Sequence, residues 1–321
     1  MSSNKPIVVV GSINLDLVAV ADRIPAIGET VIGTDFQIHA GGKGANQAVA
    51  AARLGYPVRI IGRIGNDAFG VELKTHLQKA GVDVSGVAVD EGASGAAVIL
   101  VSSRGENSIV VAPGANSNVT PEYIEQNINA IQGAGIVLAQ LEIPLESVEY
   151  LSTICARGKV PLVLDPAPAR KLPAELIAET CWFTPNETEA AFYALENTGA
   201  TGSPTAEQTA RKLLAMGCEG VVLKMGSRGV YLASHTGIGE FVPAFEVKAV
   251  DTTAAGDAFN GAFAVGLMMG KSPGHSAVFA AGVAAISVTR MGAQPSMPTM
   301  AEVESFMSQH AAAFSANIRN C

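Results

Sequence analysis

An acidic residue at the start of a helix rich in small residues is the clearest place for chemistry in the sequence. Asp257 ends the segment Asp251-Thr-Thr-Ala-Ala-Gly-Asp257, which leads directly into the apolar stretch Ala258–Ala264. Unpaired amides at a helix N-terminus bind anions, and a carboxylate beside them could act as a general base. An acid at this position also stabilises a helix without doing chemistry, so the residue types alone leave both interpretations open.

A second glycine-rich segment, Gly41-Gly-Lys-Gly-Ala-Asn-Gln47, leads into a predicted helix over Gly44–Leu54. Glycine permits backbone conformations that other residues avoid, so this loop could bring amides, Lys43 and Asn46 against a polyhydroxylated ligand. A flexible turn at a helix start would have the same composition.

Two polar residues, Asn14 and Asp16, follow the β-branched run Pro6–Gly11, which is typical of a buried parallel strand. Open α/β sheets bind ligands at the carboxyl ends of their strands, and a carboxylate there can accept hydrogen bonds from two neighbouring hydroxyls. An aspartate after a strand is also a common turn residue.

Asn186 and Glu189 follow a predicted strand over Trp182–Thr184. A spacing of three places both side chains on one helical face, where their oxygens could hold a hydrated Mg²⁺ near phosphates. The same residues also make a good helix N-cap. Further along, Met225-Gly-Ser-Arg-Gly229 could let a ribose or phosphate approach the backbone, or could be a plain hairpin turn.

The standard nucleotide-binding motifs are missing. The segment Gly270-Lys-Ser272 has Val265 where a Walker loop requires glycine, and Gly11–Asp16 lacks two glycines of the dinucleotide fingerprint. A P-loop ATPase and a classical NAD-binding protein are therefore both disfavoured.

The elements that must position these residues alternate between strand and helix. Further strands are predicted over Val58–Ile61, Ile136–Leu141, Pro161–Leu164 and Gly220–Met225. Among the helices between the strands, one continuous helix is predicted over Thr120–Ile131. This alternation predicts an α/β fold with a mostly parallel sheet covered on both sides, in one domain over residues 1–321. Residues 16–40 and 95–112 break the pattern. They are predicted to form a small separate sheet, with edge strands of the main sheet as the alternative.

Composition narrows the partners and the compartment. The net charge is −8 and no block of basic residues occurs, so nucleic-acid binding is not expected. Four scattered cysteines predict a reduced, cytoplasmic protein. The run Ile7–Val10 is too short for a signal peptide, and the apolar stretch Ala258–Gly270 is too short to span a membrane.

In order and spacing, these segments resemble the ribokinase/phosphofructokinase-B family of sugar kinases along nearly the whole chain. The matching segments are Gly11–Asp16, Gly41–Gln47, Gln140-Leu-Glu142, Asp165-Pro-Ala-Pro-Ala169, Thr184–Glu189, Gly226-Ser-Arg-Gly229, Asp251–Asp257 and Gly292-Ala-Gln-Pro-Ser296. The resemblance implies a ribokinase-like, three-layer α/β/α fold in which the small β-sheet is a lid and often the contact of a homodimer. It implies ATP-dependent phosphorylation of the primary hydroxyl of a pentose, foremost D-ribose to D-ribose 5-phosphate.

Carried over by position, the resemblance implies four groups of site residues. Asp257 would be the catalytic base, beside an anion hole formed by amides of Ala254, Ala255, Gly256 and Asp257 itself. The sugar would contact Asn14, Asp16, Gly42, Lys43, Asn46 and Glu142. ATP and Mg²⁺ would contact Asn186, Glu189, Lys224, Gly226, Ser227 and Gly229. An activating K⁺ would be held by Asp251, Thr253, Ser287, Arg290, Gly292 and Ser296, several through backbone carbonyls.

Three positions depart from the usual family pattern. Ala254 stands where the broad family has glycine, Lys224 stands where a small hydroxyl residue is common, and Pro113 precedes the sugar-wall segment Gly114-Ala-Asn116. Deoxyribose, another sugar or a nucleoside stays open as the substrate. A catalytically silent sugar-binding regulator is the alternative from a different class.

Overall fold

The computed structural model describes residues 5–195, 204–235 and 237–318. In chain order its strands are β1 (Ile7–Val10), β2 (Asn14–Ala21), β3 (Asp35–Gly41), β4 (Val58–Gly65), β5 (Asp83–Asp90), β6 (Gly95–Ser102), β7 (Asn107–Ala112), β8 (Ile136–Ala139), β9 (Leu162–Leu164), β10 (Trp182–Phe183), β11 (Gly220–Lys224), β12 (Val230–Ser234) and β13 (Gly237–Val242). Its helices are α1 (Lys43–Arg53), α2 (Ala68–Lys79), α3 (Pro121–Gln126), α4 (Ile128–Gln132), α5 (Leu145–Gly158), α6 (Ala174–Ala178), α7 (Glu187–Leu195), α8 (Ala206–Leu214), α9 (Ala255–Met268), α10 (Pro273–Ser287) and α11 (Met300–Ile318). No helix among these residues is long and apolar enough to cross a membrane.

The larger sheet has nine described strands in the order β13-β12-β11-β10-β9-β8-β1-β4-β5. Every neighbouring pair from β11 to β5 is parallel, and β12 and β13 complete one edge as antiparallel strands. The predicted mostly parallel sheet is confirmed. The antiparallel edge and the outer strand β5 were not among the predicted strands.

Strand β1 lies in the middle of this sheet because all of its side chains are apolar. Its four residues are fully buried. Successive side chains of a strand point to opposite faces, so Ile7 and Val9 join the core beneath α1, α9 and α10. Val8 and Val10 join the core on the other face, together with residues of α3, α5 and α8. Two apolar cores thus hold helices on both faces of the sheet, as a three-layer α/β/α fold requires.

The helix predicted over Thr120–Ile131 is divided into α3 and α4. At the junction, the Asn127 Nδ2 donates to the Tyr123 carbonyl oxygen at 2.9 Å. The Asn127 backbone has φ −103° and ψ 10°, away from ideal helical values. Asparagine competes with helical geometry through side-chain bonds of this kind, so the prediction of one continuous helix was wrong.

A second sheet has the described order β3-β2-β6-β7, and the alternative that placed its strands at the edge of the main sheet was wrong. Strands β2 and β6 pair in parallel at its centre, with β3 and β7 antiparallel outside them. The sheet begins close to the carboxyl end of β1. There the Ile13 amide donates to Asn116 Oδ1 at 2.9 Å, which ties the start of β2 to the segment after β7.

One face of this second sheet is apolar and exposed. The register aligns Ile38, Leu17, Val98 and Val110 across the four strands. Of these, Val110 is 68% exposed and Ile38 45% exposed. Side chains alternate along a strand, so Asp16 points to the opposite face. The face that carries Asp16 also has exposed apolar side chains, Ile109 at 53% and Val111 at 44%, so both faces of the sheet have uncovered apolar surface.

Candidate active site

The N-terminus of α9 forms the centre of the site. Its N-cap, Ala254, has a left-handed backbone (φ 57°) and makes no side-chain cap. The Ala255 amide donates to the Thr252 carbonyl at 3.2 Å. Within the described chain, the amides of Gly256 and Asp257 have no protein acceptor. The amide of the N-cap Ala254 has no acceptor in the described chain either, so three of the four predicted N–H groups are available to an anion.

The Asp257 carboxylate is 5% exposed and is held by two amide side chains of α1. Asn46 Nδ2 donates to its Oδ2 at 3.0 Å, and Gln47 Nε2 donates to its Oδ1 at 3.1 Å. Burial raises its pKa to about 6, although Lys43 and the two amides act in the opposite direction. The N-terminus of α9 favours the ionised form of an acid beside it. Burial outweighs its favourable partners, yet the group still ionises below neutral pH.

Glycines allow α1 to approach Asp257. Gly42, the N-cap of α1, has φ 88°. A Cβ at Gly42 would lie 2.7 Å from the Asn14 amide nitrogen, and a Cβ at Gly44 would lie 2.7 Å from the Ser12 amide nitrogen. Any larger residue would push α1 away from the end of β1. The close approach places Lys43, Asn46 and Gln47 beside the first turn of α9.

The residues predicted to bind a sugar form one cluster between the two sheets. Glu142 Oε2 accepts bonds from Ser12 Oγ at 2.6 Å, from the Lys43 amide at 3.2 Å and from Asn14 Nδ2 at 3.4 Å. Asp16 packs against Gly41, where a Cβ would collide with its carboxylate. The structure thus brings together Asn14, Asp16, Gly42, Lys43, Asn46 and Glu142 around the Asp257 end of α9.

Charges in this cluster influence one another strongly. Burial raises the pKa of Asp16 to about 7, with Glu142 and Asp257 adding to the rise. Burial acts to lower the pKa of Lys43, but the surrounding carboxylates, chiefly Asp257 and Asp165, raise it above its ordinary value. Lys43 therefore stays protonated. The site therefore combines the permanently charged Lys43 with two carboxylates, Asp16 and Asp257, that gain or lose protons near neutral pH.

A cavity of about 460 Å³ adjoins the N-terminus of α9. Gly256 lines it, together with the residues predicted to contact a nucleotide: Lys224, Gly226, Ser227 and Gly229. Apolar side chains such as Val230, Phe245 and Val288 supply much of the remaining surface. Between β11 and β12 the chain makes the tight turn of a hairpin at Gly226–Arg228. The turn therefore both closes a hairpin and borders the cavity.

Asn186 and Glu189 form a reciprocal helix cap at the start of α7. The Glu189 amide donates to Asn186 Oδ1 at 2.9 Å, and the Asn186 amide donates to Glu189 Oε2 at 2.7 Å. Asn186 Nδ2 also donates to Glu189 Oε1 at 2.8 Å. The N-cap interpretation therefore describes the local geometry. Asn186 also pairs with Lys224 of β11, so both cap residues remain beside the wall of the cavity.

The predicted K⁺ residues lie on two neighbouring loops joined by Asp251. Its Oδ1 accepts from Thr253 Oγ1 at 2.6 Å, and its Oδ2 accepts from the Gly292 amide at 2.8 Å. Burial acts to raise the pKa of Asp251, but hydrogen bonds from Thr253 and Gly292 bring it below its ordinary value. The remaining members lie at the end of α10 and just after it: Ser287, Arg290, Gly292 and Ser296. The Arg290 side chain forms an ion pair with Glu302 of α11 at 2.7 Å.

Several polar residues at the site were not assigned by sequence reasoning. Asp165 Oδ1 forms an ion pair with Lys224 Nζ at 3.0 Å, and Gln47 links its other oxygen to Asp257. Gln140 in turn donates to Gln47 Oε1 at 2.7 Å. A usable signal existed for Asp165, because it follows strand β9 directly, at the same edge of the sheet as Asn14.

A buried carboxylate, free helix-start amides and an adjoining cavity, set on a parallel α/β/α sheet, are the parts that a small-molecule phosphotransferase needs. The chain belongs to the pfkB family of carbohydrate kinases, whose family model matches residues 4–300. It is 42% identical to a ribokinase of Bacillus subtilis, with 94% of this chain and 99% of the relative covered. Identity to a Schizosaccharomyces pombe ribokinase is 41%, with 93% and 96% covered.

Solved structures agree with this assignment. An Arabidopsis thaliana ribokinase complexed with ribose and ATP matches with a TM-score of 0.87 at 35% identity, covering 94% of this chain and 98% of that one. A Thermotoga maritima ribokinase matches with a TM-score of 0.86 at 40% identity, covering 94% and 99%. The similarity extends over both sheets, so it includes the second sheet as well as the α9 site.

Proposed function

We propose that the protein transfers the γ-phosphoryl group of ATP to the primary hydroxyl of D-ribose, giving D-ribose 5-phosphate and ADP. The observation that carries this proposal is the position of Asp257. It is buried between the cluster of residues predicted to bind a sugar and two helix-start amides that have no acceptor in the described chain. Relatives named as ribokinases, and one solved with ribose and ATP, support the choice of both substrates.

In this reaction the oxygen of the primary hydroxyl forms a bond to the γ-phosphorus. Asp257 accepts the proton that this hydroxyl loses. The bond from that phosphorus to the bridging oxygen of ADP breaks, and the electron pair leaves with ADP. The amides of Gly256 and Asp257 meet the negative charge on the phosphoryl oxygens. Phosphoryl transfer depends mainly on such positioning and charge stabilisation, which suits a site with little other reactive chemistry.

The sugar cluster supplies specificity for a hydroxylated substrate. Asp16 can accept two hydrogen bonds from neighbouring hydroxyls, and Asn14 offers donors on the same side. Asn14 is held in place, because its Oδ1 accepts from Asn116 Nδ2 at 2.6 Å while its Nδ2 faces Glu142. A deoxy sugar would leave one acceptor of Asp16 without a partner, so ribose is favoured over deoxyribose.

The nucleotide is proposed to lie in the cavity beside α9. An apolar wall suits the adenine ring, and the backbone around Gly226 and Gly229 leaves room for the ribose and phosphates. Asn186 and Glu189 carry oxygen donors of the type that Mg²⁺ and its bound waters prefer. They would hold the ion beside the phosphates, where it would neutralise phosphate charge. The cap bonds between the two residues keep their side chains next to each other at the start of α7.

The Asp251 loops are proposed to bind an activating K⁺. The Asp251 carboxylate and backbone carbonyls of the two loops would together give an oxygen-rich donor set of the kind that alkali cations occupy. When bound, the cation would supply positive charge close to the start of α9. Asp251 already joins Thr253 to Gly292, so this chain's contribution is to hold the loop before α9 against the loop after α10.

The second sheet is proposed to act as a lid and as the contact of a homodimer. Exposed apolar surface of this size is uncommon on a monomer, and here Phe36, Ile38, Val98 and Val110 share one face of the sheet. A second copy would cover that face while Asp16, on the other face, stays directed at the sugar. Closure over the sugar would exclude water and limit ATP hydrolysis.

A coupled assay of ADP formation tests the proposed function. Ribose, deoxyribose, fructose and nucleosides are compared at equal concentrations with ATP and Mg²⁺. We expect ribose to give the highest kcat/KM. Equal or higher kcat/KM with deoxyribose would overturn the assignment of ribose, and no sugar-dependent ATP consumption would favour a sugar-binding regulator instead.

A further inference from the structure

A cation lies where a helix dipole alone would disfavour it. A Cβ added at Gly256 would be 3.4 Å from Lys224 Nζ, so the ammonium group lies beside the first turn of α9. The N-terminus of a helix carries partial positive charge and repels a cation. The Gly256 and Asp257 amides have no acceptor in the described chain. An anion placed between the lysine and the helix start would be stabilised by both.

Asp165 keeps Lys224 in that place without such an anion. Its Oδ1 lies 3.0 Å from Lys224 Nζ, and the two side chains are 4% and 12% exposed. Other contacts hold the strand itself, since the Lys224 amide donates to the Pro185 carbonyl at 2.9 Å. The ion pair therefore decides only where the ammonium group sits. A surface ion pair would contribute little, whereas this one is shielded from water.

The second oxygen of Asp165 connects it to the base. Gln47 Nε2 donates to Asp165 Oδ2 at 3.0 Å and to Asp257 Oδ1 at 3.1 Å. The bond from Gln140 to Gln47 Oε1 fixes which end of that amide faces the carboxylates. Lys224, Asp165, Gln47 and Asp257 thus form one buried chain of hydrogen bonds from the cavity wall to the proposed base.

We propose that Asp165 is a positioning residue that holds the Lys224 ammonium at the mouth of the anion hole, where Lys224 meets the charge of the phosphoryl group in transfer. The inference rests on the proposed kinase activity and adds to it a cation opposite the helix-start amides. Preorganised charge of this kind needs no rearrangement during the reaction, which is how enzymes obtain most of their electrostatic stabilisation.

The test uses three variants: Asp165→Asn, Lys224→Met and the double variant that carries both changes. A fourth protein, Asp83→Asn, is the control. Asp83 pairs with Arg59 on the surface and serves as the matched control for loss of a carboxylate. We expect Lys224→Met to lower kcat by about 10²–10³-fold, the usual effect of losing one such donor. Asp165→Asn should lower kcat by at least about tenfold, and the double variant should be no slower than Lys224→Met, because both changes remove one interaction. KM for ribose should change little.

A pH profile separates positioning from a merely structural role. Charged groups facing Asp257 are Lys43, Asp16 and Asp165, and Asp165 raises the Asp257 pKa. Neutralising Asp165 should move the acid limb of kcat, measured at saturating ribose, to lower pH. Wild-type kcat with an unmoved acid limb in a folded Asp165→Asn protein would overturn the inference, as would additive losses in the double variant. If Asp165→Asn does not fold, wild-type kcat in Lys224→Met overturns it. An inactive wild type overturns the proposed function, and this inference with it.

Discussion

Replacing Asp257 by asparagine removes the proposed base while keeping the size of the side chain. Its pKa of about 6 leaves roughly nine-tenths of the wild-type carboxylate ionised at pH 7, so nearly all of the enzyme is competent there. General base catalysis contributes about 10²–10⁴-fold, and we expect kcat for ribose phosphorylation to fall by that factor. The helix-start amides remain, so the variant should retain a small residual rate.

The hydrogen bonds of Asp257 add a second, smaller consequence. Both of its oxygens accept from amide nitrogens, of Asn46 and Gln47, and asparagine offers only one oxygen. One donor therefore loses its acceptor, at a cost of about 1–3 kcal/mol in folding stability, partly offset because a buried charge is removed. Nucleotide binding should change less than about threefold, since other residues form the cavity.

The assay is ADP formation from ATP and ribose between pH 5 and 9, with ATP affinity measured by calorimetry. At saturating ribose, wild-type kcat should fall about tenfold per pH unit below the Asp257 pKa, while the residual kcat of the variant should lose this acid limb. The surface change Asp83→Asn should leave both rate and profile unchanged. Turnover close to wild type in Asp257→Asn, or an acid limb of kcat at saturating ribose that survives the substitution, would refute the role of Asp257 as base.

The remaining predictions concern the sugar, the cation, the loop and the dimer. Because the pKa of Asp16 is raised to about 7, ribose affinity should weaken roughly tenfold between pH 8 and pH 6, and Asp16→Asn should abolish that dependence. Calorimetry that shows the same dependence of ribose affinity on pH in the variant as in the wild type would contradict this prediction. Activity should be higher in K⁺ than in Na⁺ and the difference should vanish in Asp251→Ala, whereas equal rates in both salts for the wild type would rule out the cation site. Gly42→Ala should lower ribose affinity at least about tenfold, because its φ of 88° and the nearby Asn14 amide leave no room for a Cβ, and an unaffected KM would refute this. Val110→Glu should convert a dimer to a monomer in light scattering, while Glu106→Gln in the adjacent turn should not; a wild type that is already monomeric would exclude the proposed contact.

Much of the fold could be predicted because local patterns are strong where burial is complete. The run Ile7–Val10 is apolar on both faces, and such a strand can only lie inside a sheet covered on both sides. The break between α3 and α4 could not be read from apolar spacing, because one bond from Asn127 to the Tyr123 carbonyl decides it. The edge strand β12 was missed since its pairing with β11 depends on the intervening turn.

The sequence by itself determined which chemistry was available: Asp257 at a helix start, a glycine loop ahead of α1, polar residues after β1 and the ordered segments that mark the family. Only the tertiary structure decided how those groups behave. Burial raises the Asp257 pKa to about 6, although a helix N-terminus by itself favours the ionised form of an acid. Asp165 and Lys224 are 59 residues apart and become partners because parallel strands end at the same edge. Proton affinity and charge pairing depend on neighbours and solvent exclusion, and both are properties of the folded chain.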